Sequence, residues 1–356
     1  MLCCINCFND IHIKDIIAAN KKRGTCDFCH SKDVFVIDID QSSDFLNCIM
    51  ELIQIYEESN DGNGKYICDA LCNDWNIFSV DKLDKSSVRK LIEEICTFEL
   101  GNTDVLSKKM IIPQLYDKDY LSEYGVVRGL SWKDFSNHIK NVNRFHSDFN
   151  SIEFASCLTA LIKKYKKGEF FYRARISDNE IGFKTNEMKA PPKHKSTAGR
   201  VNPEGMPVLY LSLDDNTVLY EIRANMYDFV SIGKFVAKKD LRIVDLSGFE
   251  SISPFRYGGG LERFAINAKV FQEISKEIAK PLRRNDSPLE YLPTQFIAEF
   301  IKSENYDGVE YKSTISRGGR NIALFNEELV DCLDIQTIEI TDINYATSPT
   351  NEEKRL

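Results

Sequence analysis

Hydrophobic positions along the chain follow two different periods. From about residue 42 to residue 166 they recur three or four positions apart behind polar starts, which predicts amphipathic helices and no strand. After Gly168 the apolar runs become short, which is typical of strands. The predicted strands are EFFYRARI, MPVLYL, SIGKFVA, LRIVDL, GVEYKS and NIALFN, and helices are predicted to begin near Thr217 and Leu292. The pattern therefore predicts a helical region followed by an α+β region.

One stretch of the second region brings three polar side chains close together in sequence. Arg200 lies in a turn that contains glycine and asparagine, and Tyr210 lies in the apolar run that follows. Thr217 is predicted to cap the next helix, which puts Glu221 in the first turn of that helix. An arginine, a tyrosine and a glutamate on consecutive elements raise the question of what site they form.

Charge and hydropathy limit the classes of partner. The 356 residues carry a formal net charge of −8, which argues against broad binding to a phosphate backbone, so nucleic acid is not expected as a partner. A nucleic-acid-binding ribbon has only the small basic group Lys21, Lys22 and Arg23 in its favour. No apolar run is long enough to cross a membrane, and the N-terminus lacks the pattern of a signal peptide. We therefore expect a cytoplasmic protein with no membrane partner.

The N-terminus has the cysteine spacing of a zinc site. Of the 11 cysteines, five fall in the first 29 residues, and they include two Cys-x2-Cys pairs. Each pair places two thiolates on one side of a tight loop, and two facing loops complete a tetrahedron. We predict a structural zinc ion on Cys4, Cys7, Cys26 and Cys29, with Cys3 and His30 as alternative ligands. Four reduced cysteines in a small core are the other interpretation.

The C-terminal half lacks the residues of several common catalytic machineries. It has no histidine beyond His194 and no Walker A or Gly-x-Gly-x-x-Gly motif after a strand. Arginine, tyrosine, glutamate and serine remain, and they suit a reaction in which the leaving group departs largely by itself while the protein holds charge. In the helical half, Arg144 and His146 are too close in sequence for a metal-independent ribonuclease pair, so this half is interpreted as accessory or regulatory.

The order of these polar residues resembles that of RES-domain proteins, a family named for an Arg, a Glu and a Ser. The resemblance covers roughly residues 168–330. It is carried by Tyr172-Arg173-Ala174-Arg175, by Gly199-Arg200-Val201-Asn202 with Gly205 and Tyr210, by Glu221, and by Tyr311-Lys312-Ser313 with Asn321. Two positions depart from the family pattern, since Val201 stands where Trp is usual and Lys312 where Pro often precedes the Ser.

The resemblance implies an ADP-ribosyltransferase-like mixed β core within the expected α+β fold. An α-helical domain precedes this core, with a small N-terminal zinc ribbon that the cysteine spacing predicts and the family does not require. Some RES proteins carry an N-terminal helical extension, which would account for the first half of this chain. The expected domains are a zinc ribbon-like segment (1–40), an α-helical accessory or regulatory domain (41–165), a RES-like NAD-consuming domain (166–335), and a C-terminal strand with a polar tail (336–356).

The resemblance also assigns NAD as the substrate and gives roles to individual residues. Glu221 is expected to stabilise a ribosyl oxocarbenium ion, Tyr210 to pack against nicotinamide, and Arg173 to hold the pyrophosphate or the nicotinamide-side ribose. Ser313 is expected to hydrogen-bond the ribose or a diphosphate oxygen, with Ser316 as the alternative serine. The expected catalytic residues are Arg173, Tyr210, Glu221 and Ser313, and the expected NAD-binding residues are Arg173, Arg175, Arg200, Asn202, Tyr210, Ser313 and Asn321.

The expected reaction is cleavage of the nicotinamide–ribose bond of NAD. Water as acceptor makes the enzyme an NAD glycohydrolase, inorganic phosphate makes it an NAD phosphorylase, and a protein side chain makes it an ADP-ribosyltransferase. The family precedent implies a bacterial toxin or phage-defence effector with an antitoxin or defence-system partner. The competing class is a catalytically inactive, zinc-containing protein that binds a partner.

Overall fold

The computed structural model describes residues 1–249, 252–280 and 287–343. The chain forms two compact units, one made of residues 1–162 and 245–277, and the other made of residues 163–244 and the chain from Ile278 onward. Both units combine helices with strands, so the predicted α+β class is confirmed. None of the helices in the described ranges is long and apolar enough to cross a bilayer.

The helices and strands have the following bounds. The helices are α1 (Ile11–Ala19), α2 (Ser43–Gln54), α3 (Ile67–Asn73), α4 (Lys85–Leu100), α5 (Lys118–Tyr124), α6 (Trp132–Asn141), α7 (Ser151–Thr159), α8 (Asp215–Ile222), α9 (Leu261–Ala279) and α10 (Leu292–Ser303). The strands are β1 (Leu2–Cys4), β2 (Arg23–Gly24), β3 (Val34–Asp38), β4 (Glu57–Glu58), β5 (Met110–Ile111), β6 (Ile162–Tyr165), β7 (Phe170–Ser177), β8 (Leu209–Ser212), β9 (Phe229–Ala237), β10 (Leu241–Asp245), β11 (Gly308–Lys312), β12 (Arg320–Leu324) and β13 (Val330–Glu339).

Side-chain caps are present at the starts of several helices in the first unit. Ser42 accepts a hydrogen bond from the backbone N–H of Phe45 at the start of α2, and Ser131 caps α6 through the N–H of Asp134. The prediction of no strand between residues 42 and 166 is wrong, because β4 pairs with β5 and β6 begins at Ile162. Two-residue strands are too short to show an alternating pattern, which is why the sequence does not reveal them.

Aromatic packing joins segments of the first unit that are distant in sequence. Phe264 of α9 stacks on Trp75 with ring centroids 5.7 Å apart, and Phe271 stacks on Phe154 at 5.5 Å. Residues 245–277 therefore group with the first unit, whereas the sequence places them inside a domain spanning 166–335. Each ring buries a large apolar area, and this packing places residues 245–277 with the first unit although the chain before and after them belongs to the second.

The N-terminal segment also packs into the first unit. Strands β1, β3 and β2 form a three-stranded sheet in that order. Phe8, next to the cysteine-bearing turn, lies 5.5 Å from the ring of Phe45 and 5.4 Å from that of Phe78. The predicted ribbon of residues 1–40 and the helical region that follows it thus share one compact unit.

An eight-stranded sheet organises the second unit in the order β13-β9-β7-β8-β12-β11-β10-β6. One core cluster contains Phe171, Leu211 and Phe235, and a second contains Ala174 together with Val218 of α8. The last strand, β13, pairs with β9 and begins at Val330, before the predicted C-terminal segment of 336–356. The predicted polar tail lies outside the described residues from residue 344 onward.

Candidate active site

The register of three strands brings polar side chains from distant segments into one row. Ser212 of β8 lies opposite Asn321 of β12, and Asn321 lies opposite Tyr311 of β11. Residues directly opposite each other on neighbouring strands share a face of the sheet. Tyr210 precedes Ser212 by two positions and therefore shares that face as well.

Helix α8 places Glu221 beside this row. Asp214 caps the helix, because its carboxylate accepts from the backbone N–H and the hydroxyl of Thr217, both at 2.7 Å. The prediction that Thr217 is the cap is therefore wrong. The helix begins earlier than predicted, and Glu221 lies in its last turn, followed by Arg223 with a left-handed φ of 52°.

Two side chains hold the carboxylate of Glu221. Ser313 Oγ and Asn321 Nδ2 each donate to Glu221 Oε1 at 2.7 Å. The Ser313 oxygen accepts from the backbone N–H groups of Ile315 at 3.2 Å and Ser316 at 3.0 Å, so its own proton is directed to Glu221. Oε1 is thus committed to protein donors.

The amide of Asn321 is oriented from its other side. Ser212 Oγ donates to Asn321 Oδ1 at 2.5 Å, which turns the amide nitrogen towards Glu221. A chain of hydrogen bonds therefore runs from Ser212 through Asn321 to the carboxylate. Ser316, the alternative to Ser313, instead bonds the hydroxyl of Thr217 at 3.1 Å.

A cavity of about 330 Å³ opens at this row of side chains. Of the residues predicted from the sequence, Arg173, Arg200, Tyr210, Glu221 and Asn321 line it, and Ser313 is bonded to Glu221. Other lining residues are Ala174, Gly199, Leu211, Ser212, Val218, Ile222, Tyr291 and Tyr311.

Arg200 provides the cavity with a positive charge beside aromatic rings. Its guanidinium carbon lies 5.6 Å from the centroid of the Tyr311 ring, which is in the range of a cation–π contact. Burial raises the pKa of Tyr210, and it raises the pKa of Tyr311 to about 12. Both phenols are therefore neutral at physiological pH, and they offer polar-edged aromatic surfaces rather than negative charge.

The guanidinium of Arg173 is partly buried and already bonded to the protein backbone, although the sequence predicts that it binds NAD. Its Nη1 donates to the carbonyl oxygens of Met188, at 2.8 Å, and of Lys189. Burial, and to a smaller extent the charge of Arg175, lowers the pKa of Arg173 to about 10. The guanidinium stays protonated at neutral pH, but one of its nitrogens is occupied by the protein itself.

Three predicted NAD-binding residues lie outside the lining of this cavity: Ser313, which is bonded to Glu221, and also Arg175 and Asn202. The guanidinium of Arg175 lies 4.0 Å from the ring centroid of Phe183 and donates to the carbonyl of Glu187. Asn202 is buried, and its Oδ1 accepts from the hydroxyl of Tyr210 at 2.7 Å. Asn202 thus fixes the turn and the tyrosine.

Ser212, Tyr291 and Tyr311 are lining residues that the site prediction omits. The alternation of β8 offers a signal for Ser212, which stands two positions after Tyr210. Tyr311 stands two positions before Ser313, so the same reasoning applies to it. Tyr291 ends a short 3-10 helix before α10, and no periodic signal marks it.

The four predicted zinc ligands form a second cluster in the first unit. The Sγ atoms of Cys4, Cys7, Cys26 and Cys29 all lie within 4.8 Å of one another. Individual Sγ–Sγ distances are 3.3 Å for Cys4–Cys29, 3.5 Å for Cys7–Cys26 and 3.7 Å for Cys4–Cys7. A tetrahedral zinc–thiolate site has edges of about 3.8 Å, so the cluster can hold a metal ion of this kind. Cys3 and His30 are not part of it.

Comparison with known proteins identifies the family of the second region. Residues 171–346 match the RES domain family. The chain contains a RES domain. The suspected family is thereby confirmed, and the RES domain includes every residue of the Glu221 site.

A chain of the M. tuberculosis MbcT-MbcA toxin-antitoxin complex, known from a crystal structure, is 12% identical to this chain, and the alignment covers 50% of this chain and 87% of that one with a TM-score of 0.31. No curated protein sequence matches the chain.

Proposed function

We propose that the RES domain binds NAD and cleaves the bond between nicotinamide and ribose. The observation that carries the proposal is the carboxylate of Glu221, held by Ser313 and Asn321 at a cavity that Arg200 and three tyrosines also line. NAD combines a cationic nicotinamide ring, two riboses, an adenine and an anionic diphosphate. A fixed negative charge, a positive charge and aromatic surfaces within one cavity match those parts.

Cleavage at this site requires charge stabilisation more than proton transfer. The C1″–N bond breaks and its electron pair leaves with nicotinamide, which becomes neutral, while positive charge develops on the ribose. The ionised carboxylate of Glu221 opposes that charge, and it does so without reorganisation because its donors are already in place. An acceptor then attacks C1″: water gives ADP-ribose, phosphate gives ADP-ribose 1″-phosphate, and a protein side chain becomes ADP-ribosylated.

The contacts of Ser313 support a different role from the one predicted. Its proton is directed to Glu221 and its oxygen accepts two backbone N–H groups. We therefore propose that Ser313 orients the carboxylate instead of bonding the ribose or the diphosphate. The same argument makes Asn321 an orienting residue, with Ser212 behind it.

The direct test is incubation of the purified protein with NAD, with and without inorganic phosphate, followed by quantification of nicotinamide and mass analysis of the nucleotide product. Nicotinamide release is the expected result. ADP-ribose identifies a glycohydrolase, a mass heavier by one phosphate ester identifies a phosphorylase, and label transferred to protein identifies an ADP-ribosyltransferase. Absence of release under all of these conditions favours the inactive partner-binding protein.

Expression of the protein in a bacterial host is expected to arrest growth and deplete cellular NAD, as in a toxin or phage-defence effector. The Glu221→Gln variant, expressed to the same level, is expected to permit growth, because only transition-state stabilisation is lost. The measurements are growth curves of both strains and the NAD content of their cell extracts. Equal arrest by both forms would place the toxicity outside the Glu221 site. An antitoxin or defence-system partner would be sought by its ability to restore growth.

Arg200→Ala is expected to weaken NAD binding more than it slows the bond cleavage. The diphosphate is charged before and after cleavage, so the interaction contributes similarly to the ground state and the transition state. A charge-assisted hydrogen bond contributes about 1.5–3 kcal/mol, which corresponds to an affinity loss of roughly ten- to 150-fold. Titration of NAD into each variant measures this.

Arg175→Ala is the matched control for Arg200→Ala. It removes the same charge from the RES domain, but the guanidinium of Arg175 lies over Phe183 and Arg175 does not line the cavity. We expect an affinity change of less than about twofold. Equal losses in the two variants would show that general charge, and not the Arg200 position, attracts the ligand.

We also propose that the four-cysteine cluster binds one structural zinc ion. Cys4, Cys7, Cys26 and Cys29 supply four thiolates at tetrahedral spacing, and such a set leaves no open position for a reacting water. The ion would cross-link the end of β1 and the turn after it to the loop before β3, and would contribute to folding instead of catalysis.

A further inference from the structure

Helix α10 places two buried polar side chains against the turn that carries Arg200. The Thr294 side-chain hydroxyl donates to the carbonyl oxygen of Arg200 at 2.6 Å. The amide nitrogen of Gln295 donates to the carbonyl oxygens of Gly199 at 2.8 Å and Asn202 at 2.9 Å. Thr294 and Gln295 are only 2% and 6% exposed. Three carbonyl groups of one four-residue turn are therefore held by the first turn of this helix.

Contacts within residues 199–202 and with Tyr210 also restrict the backbone of this turn. The N–H of Gly199 donates to the carbonyl of Asn202 at 2.8 Å and closes the turn. A Cβ at Gly199 would lie 2.5 Å from the hydroxyl of Tyr210 and 2.6 Å from Oδ1 of Asn202, so a larger residue would disturb the hydrogen bond between those two atoms. Between these ends of the turn, the carbonyl of Arg200 accepts from the hydroxyl of Thr294.

Thr294 also reaches a second wall of the cavity. Its hydroxyl lies 3.0 Å from the carbonyl oxygen of Tyr291, and both Tyr291 and Arg200 line the cavity. One hydroxyl thus stands between the backbones of two residues that face the ligand space. Thr294 itself does not line the cavity.

We propose that Thr294 and Gln295 are positioning residues that set Arg200 for the anionic diphosphate of the substrate. The proposal rests on the proposed function for the identity of that ligand. An arginine side chain has many rotamers, and a turn that drifts by about 1 Å moves the guanidinium out of hydrogen-bonding range of a bound phosphate. Holding the three carbonyls fixes the turn before the ligand arrives, which lowers the entropy cost of binding.

The test compares variants that remove the donor with variants that keep it. Thr294→Val is nearly isosteric and removes the hydroxyl, while Thr294→Ser retains it. Gln295→Met removes the amide donors at similar length and serves as the second variant in case Thr294→Val does not fold. Ser303→Ala is the matched control, because Ser303 makes a hydroxyl-to-carbonyl bond to Phe300 at 2.7 Å on the same helix, far from the turn.

The expected result is a loss of NAD affinity of about tenfold for Thr294→Val and Gln295→Met, and of less than about twofold for Thr294→Ser and Ser303→Ala. In an Arg200→Ala background, Thr294→Val is expected to cause no further loss, since the residue through which it acts is absent. Turnover at saturating NAD is expected to change less than affinity. Amide hydrogen exchange over residues 199–202 in the free protein is expected to accelerate in the two donor-removing variants only.

Two results overturn the proposal. One is unchanged exchange of the Arg200 turn in folded Thr294→Val and Gln295→Met. The other is an undiminished further loss of affinity when Thr294→Val is added to Arg200→Ala, which indicates that Thr294 acts on general stability. If the wild-type protein binds NAD but releases no nicotinamide, the proposed reaction fails while these comparisons still decide the positioning role. If it binds no NAD, the exchange measurement decides whether the two side chains hold the turn.

Discussion

Glu221→Gln is expected to reduce the rate of nicotinamide release by roughly a hundred- to several-thousandfold. A carboxylate facing a developing cation in a partly dry cavity contributes about 3–5 kcal/mol to the transition state. The amide oxygen of glutamine can still accept from Ser313 and Asn321, so the local hydrogen bonds and the size of the side chain are kept. What is lost is the negative charge.

NAD affinity is expected to change much less than turnover in this variant, since the interaction strengthens only as the bond breaks. The measurement is nicotinamide release at several NAD concentrations, with melting temperatures to verify folding. Glu204→Gln is the matched control, because Glu204 is exposed, belongs to the same unit and does not line the cavity. A folded Glu221→Gln variant with near-normal turnover would show that Glu221 is not a catalytic residue.

The polar residues of the site were largely accessible to sequence reasoning because their order along the chain is characteristic. One short stretch of the sequence contains Arg200, Tyr210 and Glu221, and the RES resemblance adds Ser313 and Asn321 to them. Their roles were less accessible. Only the register of β8, β12 and β11 shows that Ser212 orients Asn321, and strand register between distant segments is not written in local periodicity.

Tertiary contacts explain what the sequence did not reveal about the turn. Thr294 and Gln295 lie in a helix that was predicted correctly from near Leu292, yet nothing in its apolar period indicates which polar residues face the Arg200 turn. The same applies to Arg173, whose bonds to the carbonyls of Met188 and Lys189 depend on a loop with no regular pattern. Local sequence patterns thus predict the helices and strands, whereas the hydrogen-bond partners of their polar side chains depend on tertiary packing.

The helix cap of α8 shows a smaller failure of the same kind. The sequence analysis predicts Thr217, the threonine nearest the apolar run, as the cap, although aspartate is an equally good capping type. In the structure Asp214 is the cap and Thr217 donates to it from three residues later. The difference moves Glu221 from the first turn to the last turn, where it meets Ser313 and Asn321.

The purified protein is expected to contain about one zinc ion per chain, and Cys26→Ser is expected to lose it and to destabilise the first unit. Structural zinc sites contribute apparent binding free energies of about 10–16 kcal/mol, which is folding free energy when the segment is too small to fold alone. The three-stranded sheet β1-β3-β2 is such a segment. We expect the destabilisation to extend into the helical part of the first unit, because the neighbouring Phe8 packs on Phe45 and Phe78.

Elemental analysis and thermal unfolding of matched cysteine variants make this prediction specific. Cys72→Ser is the control, since Cys72 is partly exposed in the same unit and outside the cluster. Cys3→Ser and His30→Ala are expected to retain the metal, which separates the four-thiolate set from the alternative ligands left open by the sequence. Metal that survives Cys26→Ser but is lost from Cys3→Ser or His30→Ala would reassign the ligands. Absence of metal from the wild-type protein, with Cys26→Ser as stable as Cys72→Ser, would instead identify the cluster as four reduced cysteines in a small core.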